Sequence, residues 1–289
     1  MNMVQQINKL ESRFAQVHID NARRVAEEVM AHLLDCSPLA IYQQTFPENK
    51  EVELDQMVKR IEAHEPLQYV VGTVDFRGLE IHCDSRALIP RPETEALVEE
   101  ILQAPIWKNS PRIADIGTGS GCIILTLANE HPNAHFFAVD LSPDALELAK
   151  ENAQRLQLDQ KINWKCSSLL DDFAPESLDL VVANLPYIST ADWEMLDPSV
   201  LHFEPRTALD SGPSGMELIE ILLQQATRVL VPNGMIFLEF GYDQGSAVQH
   251  ALEKNGYQNI CIKTDLAGHP RIAIANVKGN KKMGAPICW

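Results

Sequence analysis

Positive charge is what this chain has least of. Lys and Arg total 24 against 40 Asp and Glu, a formal net charge of −16. A protein that grips nucleic acid non-specifically neutralises phosphates with Lys and Arg. The balance therefore argues against a nucleic-acid partner and for a protein or small-molecule one. The single basic cluster, "KGNKKMG" (278–284), reads as a solvated end that runs into a flexible tail over 279–289. Long apolar runs are also missing. Nothing approaches the roughly 18 residues of a membrane span, and the start, "MNMVQQINKLESRF", has no apolar leader core. The six cysteines (36, 83, 122, 166, 261, 288) contain no C-x-x-C pair, and Pro132 breaks the spacing between His131 and His135. No metal site is expected, and the cysteines read as small apolar side chains in a reducing cytoplasm. The reading is a cytoplasmic protein with neither a membrane nor a direct nucleic-acid partner.

What is present is enough apolar surface for a sizeable core, at 45% hydrophobic residues over 289 positions, a length that suggests about two domains. The first 65 or so residues carry helical stripes. Val25, Ala26, Val29, Met30, Leu33 and Leu34 form one, with Asp20 as its expected cap. Leu54, Met57, Val58 and Ile61 form another. Such stripes are packing surface, so this segment reads as a small helical bundle. The period then changes. Val74 and Phe76, then Leu79 and Ile81, flank Arg77-Gly78 and read as a β-hairpin. From about residue 90, strand-like runs alternate with helical segments: "RIADIG", "HFFAVD", "KINWKC", "LDLVVAN", "GMIFLEFG", "QNICIKT" and "RIAIANV". Ser142 is the expected cap of the helix in "SPDALELAKENAQRL". Alternation of this kind predicts a mostly parallel sheet covered on both faces. Only "DLAGHP" separates the last two runs, too short for a parallel crossover, so the last strand should be antiparallel.

The loop "ADIGTGSG" places Gly117, Gly119 and Gly121 between a strand and an apolar helix. Glycines there allow a tight turn and a close approach of backbone to ligand. A glycine loop alone is a weak signal. The next strand, however, ends in Asp140, whose carboxylate can accept from both hydroxyls of a ribose. Cys122 stands where a dinucleotide fingerprint needs glycine, and Asp115 before the loop suits a cation better than a phosphate. S-adenosylmethionine, with a sulfonium, an ammonium and no phosphate, fits better than NAD. The plain alternatives are that Asp140 caps the next helix and that Asp115 is a solvated strand end.

Asn184 closes the run "LDLVVAN" and is followed by Leu185, Pro186 and Tyr187. In an open α/β sheet, ligands sit beyond the carboxyl ends of the strands, where strand order reverses, so this loop and the glycine loop should face one crevice. The side-chain carbonyl of Asn184 and a backbone carbonyl could accept both hydrogens of a planar NH2. That would hold its nitrogen in line with a methyl donor. Pro186 fixes φ, and Tyr187 offers a flat wall. Read alone, the segment could equally be a turn with a packed tyrosine.

Taken together, "NLPY", "DIGTGSG", "EPLQYVVG", "LIPRPETE", "FEPRTAL" and "DLAGHPRIA" resemble the release-factor glutamine N5-methyltransferases, the HemK/PrmC family. The resemblance covers nearly the whole chain. It implies a Rossmann-like class I S-adenosylmethionine-dependent methyltransferase fold with a small N-terminal helical domain and a linking hairpin. The implied boundaries are 1–72 for the helical substrate-recognition domain, 73–89 for the hairpin linker and 90–278 for the methyltransferase domain. The implied reaction is methyl transfer to the glutamine of the Gly-Gly-Gln tip of bacterial class 1 peptide chain release factors, leaving S-adenosylhomocysteine. By the same match Asp115, Gly117, Thr118, Gly119, Ser120, Gly121, Asp140, Leu169 and Asn184 bind the donor, with Leu169 near the adenine. Asn184, Leu185, Pro186 and Tyr187 hold the glutamine, Arg91 and Glu93 close the site, and Glu204 pairs with Arg206. The departure is Leu185, where the family has proline. Its backbone carbonyl is retained, and the φ restriction is lost. The rival activities are glutamine methylation of a ribosomal protein, amino-methylation of DNA, and binding of the donor without catalysis.

Overall fold

The computed structural model describes residues 2–265 and 267–279. The tail expected from 279 onward therefore lies, except for its first residue, outside the described residues. The chain divides into two compact units. One comprises 1–73 with 197–203, and the other comprises 74–196 with the chain from 204 onward. The elements in chain order are helices α1 (Met3–Gln16), α2 (Ala22–Leu33), α3 (Glu51–Glu62) and α4 (Leu67–Val71), then strands β1 (Thr73–Phe76) and β2 (Leu79–His82). Next come α5 (Pro92–Leu102), β3 (Arg112–Ile116), α6 (Cys122–Glu130), β4 (His135–Asp140), α7 (Pro143–Arg155), β5 (Ile162–Cys166) and β6 (Leu178–Asn184). The remainder is α8 (Thr190–Trp193), α9 (Pro198–Phe203), α10 (Glu217–Val229), β7 (Leu230–Glu239), α11 (Gly245–Lys254), β8 (Gln258–Thr264) and β9 (Pro270–Asn276).

In the first unit, α1 to α4 bury the stripes read from the sequence. Ile7, Phe14, Val29, Met30, Val58 and Ile61 form one core. Its first helix opens on a capping box, Asn2 with Gln5, which satisfies two N–H groups the helix cannot pair internally. The expected cap at Asp20 is not formed. Asn21 occupies the position before α2 in the left-handed region, φ 51°, with no side-chain cap bond. Asparagine tolerates that conformation better than most residues, so the backbone enters the helix through a turn.

In the second unit, β1 and β2 form a two-stranded sheet. Arg77 and Gly78 both have positive φ, 51° and 78°, the pairing that a two-residue hairpin turn demands. This hairpin, expected as a linker, groups with the second unit from residue 74. The main sheet has seven strands in the order β5-β4-β3-β6-β7-β9-β8. β3, β4, β5, β6 and β7 pair in parallel, and β9 runs antiparallel to both its neighbours.

The run "LDLVVA" is apolar at consecutive positions because β6 is buried on both sides. Leu180 and Val182 join Phe237, Ile274 and the α6 residues Ile124 and Leu127 on one face. Val181 and Ala183 join Ile236, Leu238 and the α10 residues Leu222 and Ala226 on the other. Successive side chains of a strand point to opposite faces, so both must be apolar. Ser142 caps α7 as expected, accepting from the Ala145 N–H. Cys36, Cys122 and Cys166 are free thiols. No group of three or more potential metal ligands occurs among the described residues, and none of their helices is long and apolar enough to cross a membrane.

Phe237 is fully buried and lies between Val182 of β6 and Ile274 of β9. Phe237→Ala should destabilise the second unit by about 3–5 kcal/mol, the range for a large core truncation. Urea unfolding followed by intrinsic fluorescence measures it.

Candidate active site

Strand order reverses between β3 and β6, which pair in parallel with Ile116 opposite Ala183. Their loops therefore leave the sheet side by side. One is the glycine loop and the other begins at Asn184. Between them opens a cavity of about 350 Å³. Its wall includes Gly117, Thr118, Gly119, Ser120, Asp140 and Leu169. Asn184, Leu185, Pro186 and Arg91 complete the set of expected site residues found there.

Four expected residues are placed elsewhere. Asp115 is fully buried behind the loop; its carboxylate accepts from the Thr118 hydroxyl at 2.6 Å. Gly121 begins α6 with φ 83°, and a Cβ there would meet Leu125 and Ala149 at 3.1 and 3.2 Å. It serves helix packing. Tyr187 packs against the core formed with α10, and the Gln244 amide holds its backbone carbonyl at 2.8 Å. Glu93 lies in the first turn of α5, outside the cavity wall. The expected Glu204–Arg206 pair does not form. Glu204, 5% exposed, binds the Arg91 guanidinium and accepts from the Ile89 N–H at 3.2 Å. Arg206 turns to Asp210 at 2.7 Å. A buried carboxylate needs a cation together with N–H donors, and Arg91 and Ile89 supply both.

The two loops also touch. A Cβ on Gly117, whose φ is 74°, would lie 3.0 Å from Leu185 Cδ2. The Leu185 side chain is only 4% exposed and fills the space that the glycine leaves. Sequence reasoning missed this contact, and it missed Thr94, which lines the cavity. The Thr94 hydroxyl donates to Glu239 Oε2 at 2.7 Å and accepts from Asn184 Nδ2 at 3.1 Å. Leu169 is a further departure from ordinary backbone, with φ 48°, a strained value that concentrates at ligand sites.

Backbone hydrogen bonding decides which ligand the glycine loop can take. The N–H groups of Gly117 and Thr118 both donate to the Val139 carbonyl, at 2.8 and 2.9 Å. That of Gly119 donates to Asp140 Oδ2 at 2.9 Å, and that of Gly121 to the Thr118 carbonyl at 2.8 Å. A phosphate cradle needs such groups pointing at the ligand, and here they point inward. The two arginines of the wall are engaged as well, Arg86 with Asp84 and Glu151 and Arg91 with Glu204. Acids, by contrast, gather at this end of the sheet. Burial pushes the Asp115 carboxyl up to about 7, with the Thr118 hydroxyl opposing, and its Oδ1 is buried with no hydrogen-bond partner. Burial also raises Asp140, against the N–H groups of Ser142, Gly119 and Leu141. Both Asp140 oxygens accept backbone bonds, Oδ1 from Ser142 at 2.9 Å, and a carboxylate with about four acceptor sites still has capacity. A cationic, phosphate-free ligand bearing hydroxyls fits this wall, and S-adenosylmethionine is such a ligand.

Comparison with known proteins agrees. A family model described as a methyltransferase domain matches residues 108–278, and one described as the PrmC N-terminal domain matches residues 5–72. The release factor glutamine methyltransferase of Lactococcus lactis subsp. lactis (strain IL1403) is 42% identical over 220 residues, 76% of this chain and 80% of that protein. That of Enterococcus faecalis (strain ATCC 700802 / V583) is 37% identical over 235 residues, 81% of this chain and 83% of that protein. Among solved structures, the hMettl16 catalytic domain superposes with a TM-score of 0.58 at 18% identity, covering 78% of this chain and 84% of that one. That likeness is one of fold.

The elevated Asp115 carboxyl has a stability consequence. An aspartate free in the unfolded chain titrates at about 3.9, while burial puts the folded group at about 7. Its contribution is fully present below the unfolded value and is lost as pH rises through the folded one. The ligand-free protein should therefore lose stability between about pH 4 and pH 7 at this position. Asp115→Asn should flatten that loss, as read by urea midpoints at pH 5 and pH 8.

Proposed function

Since the chain belongs to the release factor glutamine methyltransferase family, we propose that it methylates the side-chain amide nitrogen (N5) of the glutamine in the Gly-Gly-Gln motif of class 1 peptide chain release factors. The methyl donor is S-adenosylmethionine and the by-product S-adenosylhomocysteine. The observation that carries this reading is the meeting of the glycine loop and the Asn184 loop in one cavity at the switch of strand order. When bound, S-adenosylmethionine supplies a methyl group activated by its sulfonium charge.

The remaining work falls to this chain's residues. Asp140 accepts from the ribose hydroxyls, and Leu169 lies against the adenine. Asp115 contributes negative charge from behind the loop, with Thr118 holding its side chain. On the substrate side, a glutamine amide nitrogen is planar and weakly nucleophilic. The Asn184 side-chain carbonyl and the Leu185 backbone carbonyl accept its two hydrogens and orient it towards the methyl group. Both acceptors favour the positive charge that develops on the nitrogen. No strong base is required, because the nitrogen becomes acidic as it gains the methyl group and its proton leaves to water. Pro186 holds the turn, and Arg91, fixed by Glu204, borders the cavity. The helical unit matched by the PrmC N-terminal domain model presents the release factor. The acidic balance of the chain suits a protein substrate met in the cytoplasm better than bare nucleic acid.

Labelled S-adenosylmethionine offered with a purified release factor, a large-subunit ribosomal protein and duplex DNA tests the substrate. Mass spectrometry should find one added methyl on the Gly-Gly-Gln peptide. Labelling of the ribosomal protein or the DNA with none on the factor would overturn the reading. Asn184→Ala should leave donor affinity nearly intact and slow transfer by about 10²–10³-fold, the scale for one preorganised electrostatic contact. Asp140→Ala should act the other way round. It should weaken donor binding by about 2–4 kcal/mol, because two hydrogen bonds to a charged acceptor are lost, and calorimetry measures the change.

A further inference from the structure

We propose that Thr94 and Glu239 form a positioning relay that fixes the Asn184 amide with its nitrogen turned inward and its carbonyl oxygen on the cavity side. The proposal rests on the reading of Asn184 as the acceptor for the substrate amide, and it explains what holds that acceptor in place. Asn184 and Glu239 end adjacent parallel strands and stand opposite each other in register. Thr94 comes from α5, whose first turn reaches the same point. Both Thr94 and Glu239 are 2% exposed.

The direction of the relay follows from donor counting. A carboxylate has no hydrogen to give. In the 2.7 Å contact with Glu239, the Thr94 hydroxyl must therefore be the donor. The threonine oxygen is then left to accept, and the group facing it at 3.1 Å is the Asn184 side chain. Only the NH2 end of an amide can donate. Were the amide to turn over, its carbonyl oxygen would face the threonine oxygen and the carboxylate, three oxygens with a single hydrogen among them, which Thr94 already gives to Glu239. The amide oxygen would then be buried against two other oxygens with no hydrogen to accept, and its desolvation has no compensating bond. The Glu239 anion thus selects one of two orientations that the cavity's shape alone would not distinguish.

The relay has a built-in acid limit. Around Glu239 stand Asn184 from β6, Thr94 and Glu93 from α5, and Arg271 from β9. Burial pushes its carboxyl up to about 7, Glu93 adds to the rise, and Thr94, Arg271 and Asn184 oppose it. The Tyr187 and Cys122 side chains feel the same charge. Once protonated, Glu239 carries a hydrogen of its own and can donate to Thr94. The hydroxyl is then free to donate to Asn184, and the amide orientation is no longer enforced. Above about pH 7 the relay has one direction; below it, two.

Single-turnover rates at saturating S-adenosylmethionine, with donor affinity measured separately by calorimetry, test the proposal on Thr94→Val, Thr94→Ser, Glu239→Gln and Asn184→Ala. Thr94→Val and Glu239→Gln should slow transfer by about 10–100-fold, the scale for groups that orient a functional side chain. Donor affinity should stay within about twofold, since neither group is assigned to the donor. Thr94→Ser keeps the hydroxyl and should retain most of the rate. The parent's rate should fall on the acid side of about pH 7, and Glu239→Gln should flatten that fall. Wild-type rates in Thr94→Val and Glu239→Gln beside an inactive Asn184→Ala would overturn the relay and leave the acceptor reading standing. An active Asn184→Ala would remove both. Matching losses of rate and donor affinity would make the pair a support of the fold and overturn the relay as well.

Discussion

The parallel pairing of β3 with β6 is the constraint from which the site follows. With Ile116 opposite Ala183, the chain emerges from both strands at the same level of the sheet. The crossover after β3 then leads towards β4, and the chain after β6 continues towards β7. Loops that turn apart leave a crevice at their common origin. The donor side and the acceptor side of the proposed reaction are thus brought together by backbone topology before any side chain acts. The close approach of Gly117 and Leu185 fixes the separation. A larger residue at 117 would push the two loops apart and change the distance between reacting groups.

That arrangement concentrates acids where a core would prefer none. Asp115, Asp140 and Glu239 lie at or near the carboxyl ends of β3, β4 and β7, and burial raises all three. Each has some compensation: the Thr118 hydroxyl, the N–H groups of Gly119 and Ser142, and the Thr94 hydroxyl, respectively. Compensation is incomplete at Asp115, whose Oδ1 has no partner. A cationic donor entering the cavity would relieve part of this repulsion, so donor binding and folding stability are linked. The same acids that destabilise the ligand-free chain would favour a sulfonium over a pyrophosphate in the proposed reaction.

Much of this was legible in the sequence because it is local. A run such as "LDLVVA" can be apolar at every position only if both faces are covered, and the structure covers both. Asn184 and the glycine loop were legible because each follows a strand whose end can be counted. Thr94 was not, since its role depends on Asn184 and Glu239, 90 and 145 positions away. Nor was the partner of Glu204. Arg206 is only two positions away in the chain, but Arg91, 113 positions away, is the cation that reaches it. Asp20 failed as a cap for a different reason: Asn21 can take the left-handed turn itself. Distant polar pairings carry no periodicity. The one available signal was composition, in that Thr94 interrupts a helix start otherwise occupied by Pro92, Glu93 and Glu95.

Leu185 shows how a departure from a family pattern can be absorbed. Proline at that position would restrict the backbone of the loop and bias Asn184 towards an extended conformation. Leucine gives up that restriction. Its side chain instead inserts against Gly117 and joins the core that includes Ala183, Leu238 and Phe240. Packing from one side and the Thr94–Asn184 bond from the other hold the residue that proline would otherwise stiffen. On the far side of the turn, Gln244 holds the Tyr187 carbonyl, and Gly215 leaves room for it because a Cβ there would collide with that oxygen. Order in the loop thus comes from three long-range contacts in place of one local ring. The loop's rigidity is therefore tied to the integrity of the surrounding core.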